Sequence, residues 1–554
     1  MSEFWERLQA TPALHKYASV TVFVMALAFY ALTAGPTAPT GDGIHYTTLA
    51  SLGMILEIPV HAGYIALAAL VMRLLPGVRP DLVTQGISMV FGALGWGVET
   101  QSCWFQRTDR RAGWQGGLAL LVAGEYWFHA TTAEVYIVQT GSMVTAYVLW
   151  LYAKPRSHPD DTPAELETTP RSPWIAYLRF ALAVLLVALA VTVSPSSVAV
   201  LPMFLFGRRL RIPWKRVLIA GAGLAGAAAV VGVGFYDALM AGREFHPSLY
   251  PALRSLAFLG AGMGLIMLAT IGLLAINGLD DANPVVRRRR RLALIGVGLL
   301  LALHIPIGTF IAIGPLIPTY PFVAVAFGIS MSWLRTQTSL PRRAVQRIVI
   351  GGAAALVVGA LVFAGGMALR PWAWGLAVGW LERNLSPLLS AAAGAALASV
   401  AMLAIGVTRR AQERAGRVER ALAGIGLALV LAQALLSLAL VIQPKYEIAR
   451  YQEEAINLLA ARSPRPAQIV GSFTALMEYD YATLGHALWE TEHVYVDELD
   501  PEQFDKLLAA EGELYLLGRY GRRYAAREGV DLDAYRLTPL DGDHDMLWLV
   551  QPGE

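Results

Sequence analysis

Between residues 18 and 442 the sequence holds about thirteen apolar runs of near-membrane length, parted by polar loops and without a convincing internal repeat. A helix needs about 20 apolar residues to cross a bilayer's hydrocarbon core. The first run is Ala18 to Ala34, and others start near Leu82, Gln115, Tyr136, Trp174, Ser197, Val217, Ser255, Leu292, Leu316, Ile348, Pro387 and Ala421. The first follows Lys16 and precedes small residues, as a cleaved leader would, but its length reads as a retained anchor. Soluble proteins average roughly 45–50% apolar and about 25% charged residues. Here 56% of the 554 residues are hydrophobic and 15% are charged, which excludes ordinary water-soluble packing. The fold class expected is a mainly α, polytopic membrane protein.

Charge gives the direction of the chain. Before Gln443 there are 34 basic and 20 acidic residues, and from Gln443 onward 10 basic and 21 acidic. A net charge of +3 thus conceals a basic apolar body, 1–442, and an acidic polar tail, 443–554. Lys and Arg concentrate in short cytoplasmic loops of membrane proteins. With the N-terminus inside and the runs alternating, the inner loops hold 28 of the body's 34 basic residues. The outer side keeps Arg73, Arg79, Arg243, Arg254, Arg370 and Arg383. The arginines lie between apolar runs and form no single patch, so nucleic acid is excluded as a partner. The five arginines at 287–291 read as a topology anchor. The single cysteine, Cys103, excludes an intrachain disulfide framework and a cysteine-rich metal site.

This topology lays Ala62 to Leu75 on the outer surface as an interfacial helix, because about 14 residues are too few to span. The first outer loop then runs over 35–80, long for a chain of short loops, and is expected to be re-entrant or surface-lying. The polar, proline-rich stretch 153–173 reads as a cytoplasmic linker. The tail reads as a small extracytoplasmic α/β domain. Its strands are expected at Gln468–Phe473, His493–Val496, Glu513–Leu517 and Met546–Val550. Helices are expected at Thr474–Trp489 and, capped by Asp500, at Pro501–Ala510. No glycine-rich phosphate loop follows the first strand, so dinucleotide binding is not expected.

Phosphate-loop, HExxH, paired CxxC and GxSxG motifs are absent. What remains are ionisable groups at or near membrane depth, where their cost makes them functional candidates. The densest group is Gly41-Asp42-Gly43-Ile44-His45-Tyr46, followed by Glu57, Pro59, His61, Gly63 and Tyr64. A carboxylate between two glycines admits close approach of backbone and substrate. Asp42 reads either as a general base against an apolar wall or as the N-cap of a helix from Gly43 onward. His45, Glu57 and His61 read as polar or interfacial residues of the same loop. Glu134, in Ala133-Glu134-Val135-Tyr136, lies at the outer end of the third span and opens the fourth. Asp42 and Glu134 sit on neighbouring outer loops and are expected to converge on one site. Glu125 falls within the third span and needs a partner, either Arg179 or a bound water.

These features, in this order, resemble the GT-C superfamily of glycosyltransferases that use polyprenyl-phosphate sugars, specifically bacterial protein O-mannosyltransferase-like membrane proteins. The family's first outer loop reads approximately GDSGE and then PHPPGYP, and a later loop carries AEVY. The counterparts are Gly41 to Gly43, Pro59 to Tyr64, and Ala133 to Tyr136. The resemblance covers about the first 155 residues. His45 stands where the family has an acid, and the second segment is reduced to Pro59-Val60-His61-Ala62-Gly63. The resemblance implies that Asp42 activates the acceptor and that Glu134 takes part in catalysis. His45, Glu57, His61, Tyr64 and Tyr136 would line the acceptor or loop site. Outer cations (Arg243 with His246, Arg254, Arg370, Arg383) would hold the donor's phosphate. Some family members use a divalent metal, Mg or Mn, and others do not, so the cofactor stays open.

The function expected is therefore an inverting, mannosyltransferase-like glycosyltransferase in a bacterial cytoplasmic membrane. It would move a sugar from a polyprenyl-phosphate donor to a protein, lipid or glycan acceptor on the outer side, among membrane lipids. A transporter or lipid flippase with an extracytoplasmic binding domain is the alternative from another class, since many spans with buried acids suit that too. No inverted repeat or matched pair of broken helices favours it.

Overall fold

The structure is a computed structural model. It describes residues 18–35, 42–58, 61–106, 110–152, 173–194, 197, parts of 263–270, 314–336, 415–461, 467–471, 492–495, 500–510, 513–517, 525–526, 529–542 and 546–553. The linker 153–172, the runs expected near Val217, Leu292, Ile348 and Pro387, the arginines at 287–291 and the tail helix at Thr474–Trp489 lie outside them.

The architecture is mainly helical. Apolar stretches whose prolines fall only in the first turn give α1 (Ala18–Leu32), α4 (Pro80–Gln106), α7 (Val135–Tyr152), α8 (Pro173–Val193), α9 (Tyr320–Thr336) and α10 (Ala415–Ser437). Between α1 and α4, the long first loop folds as two short helices, α2 (Asp42–Leu52) and α3 (Ala62–Leu74). α3 buries Tyr64, Ile65, Ala68 and Ala69 and exposes Leu70 and Leu74, the two-faced pattern of a surface-lying helix. His45 therefore sits on a helix and not in an irregular loop.

The third expected run differs from a single span. It is two helices, α5 (Arg110–Leu121) and α6 (Gly124–Thr131), broken at an extended Ala123. Packing explains the break: a Cβ on Gly124 would lie 2.9 Å from Val441 Cγ2. The chain must bend there to fit against the end of α10. Among the described residues no helix is long and apolar enough to cross a membrane. One core unites the bundle, with Tyr30, Tyr64, Trp96, Tyr126, Tyr320 and Phe327 all buried.

α10 does not end where the composition changes. It continues through a π-helical turn, Leu438–Ile442, into α11 (Gln443–Ala461). The far end of α11 covers a five-stranded sheet in the order β2-β1-β3-β5-β4. The strands are β1 (Ala467–Gly471), β2 (Glu492–Tyr495), β3 (Glu513–Leu517), β4 (Tyr535–Pro539) and β5 (Leu547–Pro552). β1 pairs parallel with β2 and β3, whereas β5 pairs antiparallel with β3 and β4. Alternation in β3 divides its side chains between two layers. Tyr515 and Leu517 pack with Ala455 and Leu459 of α11, and Leu514 and Leu516 with Phe504 and Leu507 of α12 (Pro501–Ala509). Asp500 caps α12 as expected, its Oδ1 accepting from the Gln503 N–H at 2.6 Å. β4 is an addition to the expected sheet.

Candidate active site

Asp42 is the first residue of α2, next to a close backbone approach at Gly43. A Cβ on the next residue, Gly43, would sit 2.1 Å from the carbonyl oxygen of Ala133. Only glycine lets the two chains meet so closely. The start of α2 is therefore pressed against the loop that carries Glu134. α2 is further fixed by Thr47, whose hydroxyl donates to the Gly43 carbonyl at 2.7 Å and lies 3.0 Å from the Thr84 hydroxyl on α4.

The Glu134 loop is held from below. The Glu134 N–H donates to Ser88 Oγ at 3.1 Å, and Gln85 Nε2 donates to the Thr131 carbonyl at 2.8 Å. The Glu134 side chain is 15% exposed, and its Oε2 lies 3.6 Å from Nδ1 of the buried His129. On the other edge of that ring, Nε2 lies 3.5 Å from Glu125 Oε2. Glu125 is one helical turn before His129 on α6 and is 2% exposed. Its partner among the described residues is Lys445 of α11, whose Nζ donates to Oε2 at 2.7 Å. The same ammonium stands 4.1 Å over the Phe128 ring. Beside it, the Tyr446 hydroxyl donates to the Thr33 carbonyl at 2.8 Å and lies 2.6 Å from the Thr131 hydroxyl. The end of α1, the Glu134 loop and the head of α11 thus meet at one end of the bundle.

The remaining loop residues form an aromatic wall alongside. Tyr46, Tyr64, His61 and Tyr136 stack edge to face, with centroids 5.1 Å apart for Tyr46–His61 and 6.1 Å for His61–Tyr136. His61 Nδ1 donates to the Val193 carbonyl at 2.6 Å, and a Cβ on Gly63 would come 2.2 Å from Thr192 Oγ1. Through these contacts His61 and Gly63 both seat α3 on the end of α8. Burial holds the His61 imidazole below its ordinary range, against the opposing pull of the Val193 carbonyl and the Glu134 charge. Burial also lowers His45, partly offset by Glu57, and pushes the Tyr64 hydroxyl well up.

Sequence reasoning named Asp42, Glu134, His45, His61, Tyr64 and Tyr136, and the structure places all of them around the contact between α2 and the Glu134 loop. Glu57 is exposed in the turns that follow α2. The phosphate candidates Arg243, His246, Arg254, Arg370 and Arg383 lie outside the described residues. His129, Lys445 and Tyr446 were not anticipated. The i, i+4 spacing of Glu125 and His129 in GEYWFHAT carried a signal for the first, whereas nothing local marks Lys445. Among the described residues, no three His, Cys, Asp or Glu side chains are grouped to hold a metal ion.

Over residues 82–216 the sequence matches the family described as protein O-mannosyl-transferase TMEM260 N-terminal domain. That segment contains Glu125, His129 and Glu134. The fold is that of ArnT from Cupriavidus metallidurans. Its apo crystal structure superposes with a TM-score of 0.52 at 15% identity, covering 97% of this chain and 98% of that one. Its crystal structure bound to undecaprenyl phosphate gives a TM-score of 0.54 at 15% identity, covering 96% and 98%. No curated protein sequence matches the chain. The chain thus has the fold of ArnT and, over residues 82–216, is similar to an O-mannosyl-transferase N-terminal domain.

Proposed function

We propose that the protein is an inverting, mannosyltransferase-like glycosyltransferase that takes its sugar from a polyprenyl-phosphate donor at the outer face of a bacterial cytoplasmic membrane. The observation that carries this reading is the seating of Gly43 on Ala133, which brings the segments bearing Asp42 and Glu134 together. In the reaction, Asp42 takes the proton of an acceptor hydroxyl, whose oxygen bonds to the anomeric carbon from the face opposite the lipid phosphate. The bond from that carbon to the phosphate oxygen breaks, and the polyprenyl phosphate leaves with the electron pair. One base suffices, since a phosphate is a good leaving group without strong acid assistance. Glu134 positions the reacting groups, and the aromatic wall from Tyr46 to Tyr136 shapes the acceptor side. Arg243 with His246, Arg254, Arg370 and Arg383 are proposed to stabilise charge on the phosphate.

The donor class is supported by the ArnT structure that holds undecaprenyl phosphate. Insertion in the membrane, with about thirteen spans in the whole chain, is supported by apolar side chains left exposed among the described residues. α1 exposes Val20, Val24, Met25 and Leu32, the last at 87%, and α8 exposes Leu178, Leu182, Val184 and Leu185, the last at 65%. Water penalises such stripes, and lipid tails satisfy them. The charge pattern puts the meeting point of Glu134, Thr33 and Lys445 outside, together with the C-terminal sheet.

The test is transfer by the purified protein in liposomes, with a panel of polyprenyl-phosphate sugars and release of free polyprenyl phosphate as the readout. Release coupled to a glycosylated acceptor is the expected result. Movement of an intact lipid-linked or free sugar across the bilayer, with no bond broken, would replace the enzyme with a transporter.

A further inference from the structure

We propose that Lys445 is a positioning residue for the outer site: through Glu125 and His129 it sets the Glu134 carboxylate, so that the helix leading to the C-terminal sheet is part of the active site's support. This rests on the function proposed above and adds a control to it.

The observation is a run of side chains that reaches from α11 to the Glu134 loop. Lys445 Nζ holds Glu125 Oε2 at 2.7 Å, and Glu125 Oε2 faces His129 Nε2 at 3.5 Å. His129 Nδ1 in turn faces Glu134 Oε2 at 3.6 Å. Glu125 and His129 are 2% and 6% exposed, and Lys445 is 29% exposed. His129 Nδ1 and Glu134 Oε2 are both buried without a hydrogen-bond partner among the described residues, and each is aimed at the other. A gap of this length is short enough to close when substrate tightens the site, as catalytic hydrogen bonds commonly do.

Chemistry fixes the order of dependence. A buried carboxylate without a cation is costly, so Glu125 stays where it is only because Lys445 answers it. With Glu125 anchored, the imidazole is held at one edge and must present its other nitrogen to Glu134, just as outer carboxylates orient metal-bound histidines elsewhere. The origin of Lys445 gives the arrangement its consequence. It sits on the third residue of α11, immediately after the π turn Leu438–Ile442, and π turns shift the facing of every residue that follows. The other end of α11 is packed by Ala455 and Leu459 into the sheet. Tyr446, hydrogen-bonded to Thr33 and beside Thr131, locks the same turn of α11 to the bundle. A displacement of the sheet unit would therefore reach Glu134 through rigid parts.

The experiment uses the full-length protein in liposomes with Lys445→Met, Lys445→Arg, His129→Gln, Glu134→Gln, a double variant of Lys445→Met with Glu125→Gln, and the addition of His129→Gln to Lys445→Met. Lys445→Met is expected to lower kcat by on the order of 10- to 100-fold with little change in donor KM, the loss typical of a misplaced catalytic group. Lys445→Arg should recover most of it. The double variant leaves no orphan charge, so it should regain thermal stability yet stay slow. A merely structural ion pair predicts that it regains rate as well. Adding His129→Gln to Lys445→Met should cost little more than the worse single variant, as coupled residues behave. A second readout is independent of turnover. The infrared carboxylate band that disappears in Glu134→Gln should shift in Lys445→Met and return in Lys445→Arg. An unmoved band refutes the coupling even if the protein transfers no sugar. A wild-type protein inactive on every lipid-linked sugar, with the band shift present, would instead refute the function and leave the coupling standing.

Discussion

At the residue scale, His61 shows how one side chain can serve packing inside a loop otherwise read for chemistry. Its Nδ1 donates to the Val193 carbonyl, and its ring stands between Tyr46 and Tyr136. Burial keeps the folded-state pKa below the unfolded value of about 6.5. The neutral ring is thus the folded form, and its contribution to stability is present above that value and lost as pH falls through the lower folded pKa. The purified protein should lose thermal stability on going from about pH 7.5 to about pH 5, and His61→Gln should flatten part of that loss. His45, lowered by burial in the same way, accounts for a remaining slope. An identical pH dependence in wild type and His61→Gln would remove His61 from the acid response.

At the element scale, the decisive contact is α2 on the Glu134 loop. Gly43→Ala would place a methyl group 2.1 Å from the Ala133 oxygen, and one of the two elements must retreat. Overpacking of this kind costs about 1–3 kcal/mol, and transfer should fall with stability. Gly86→Ala on α4 meets open space and serves as the control; a helix-interior alanine there should be neutral or stabilising by about 0.5–1 kcal/mol. Equal behaviour of the two variants, by thermal unfolding and by transfer rate, would deny the contact its importance. The same elements show what could be read from sequence. The Gly41-Asp42-Gly43 and Ala133-Glu134 segments were legible as neighbours because charge bias alone put both on one side. The break between α5 and α6 was not, because it comes from Gly124 packing on Val441, more than 300 residues away in sequence. β4 was missed because Tyr-Arg-Leu-Thr-Pro is short and ends in proline, a pattern tolerated only at a sheet edge, where it indeed lies.

At the scale of the whole molecule, the body and the tail are joined by one nearly continuous helical rod, α10 through α11, and not by a flexible linker. Composition marks the change at Gln443, whereas the backbone carries straight across it. That is why Lys445 and Tyr446, on the tail side of the change, belong to the site. The 28 to 6 partition of the body's basic residues predicts the sidedness. A reporter fused after Glu554 should be active only outside the cytoplasm, and one inserted at Glu165 only inside. A cytoplasmic C-terminus would overturn the topology and move the site to the other face.

The most direct measurement is sugar transfer from a lipid-linked donor by Asp42→Asn. Asparagine keeps the size of aspartate and caps a helix comparably, so insertion, folding and donor binding should be unchanged. It cannot accept the acceptor's proton, and loss of a positioned base typically costs about 10²–10⁴-fold in rate. Transfer reduced to that extent in a protein of wild-type stability is the predicted result. An Asp42→Asn protein that transfers sugar at the wild-type rate, with Asp42→Ala losing stability instead, would make Asp42 a helix cap and contradict its role as the base.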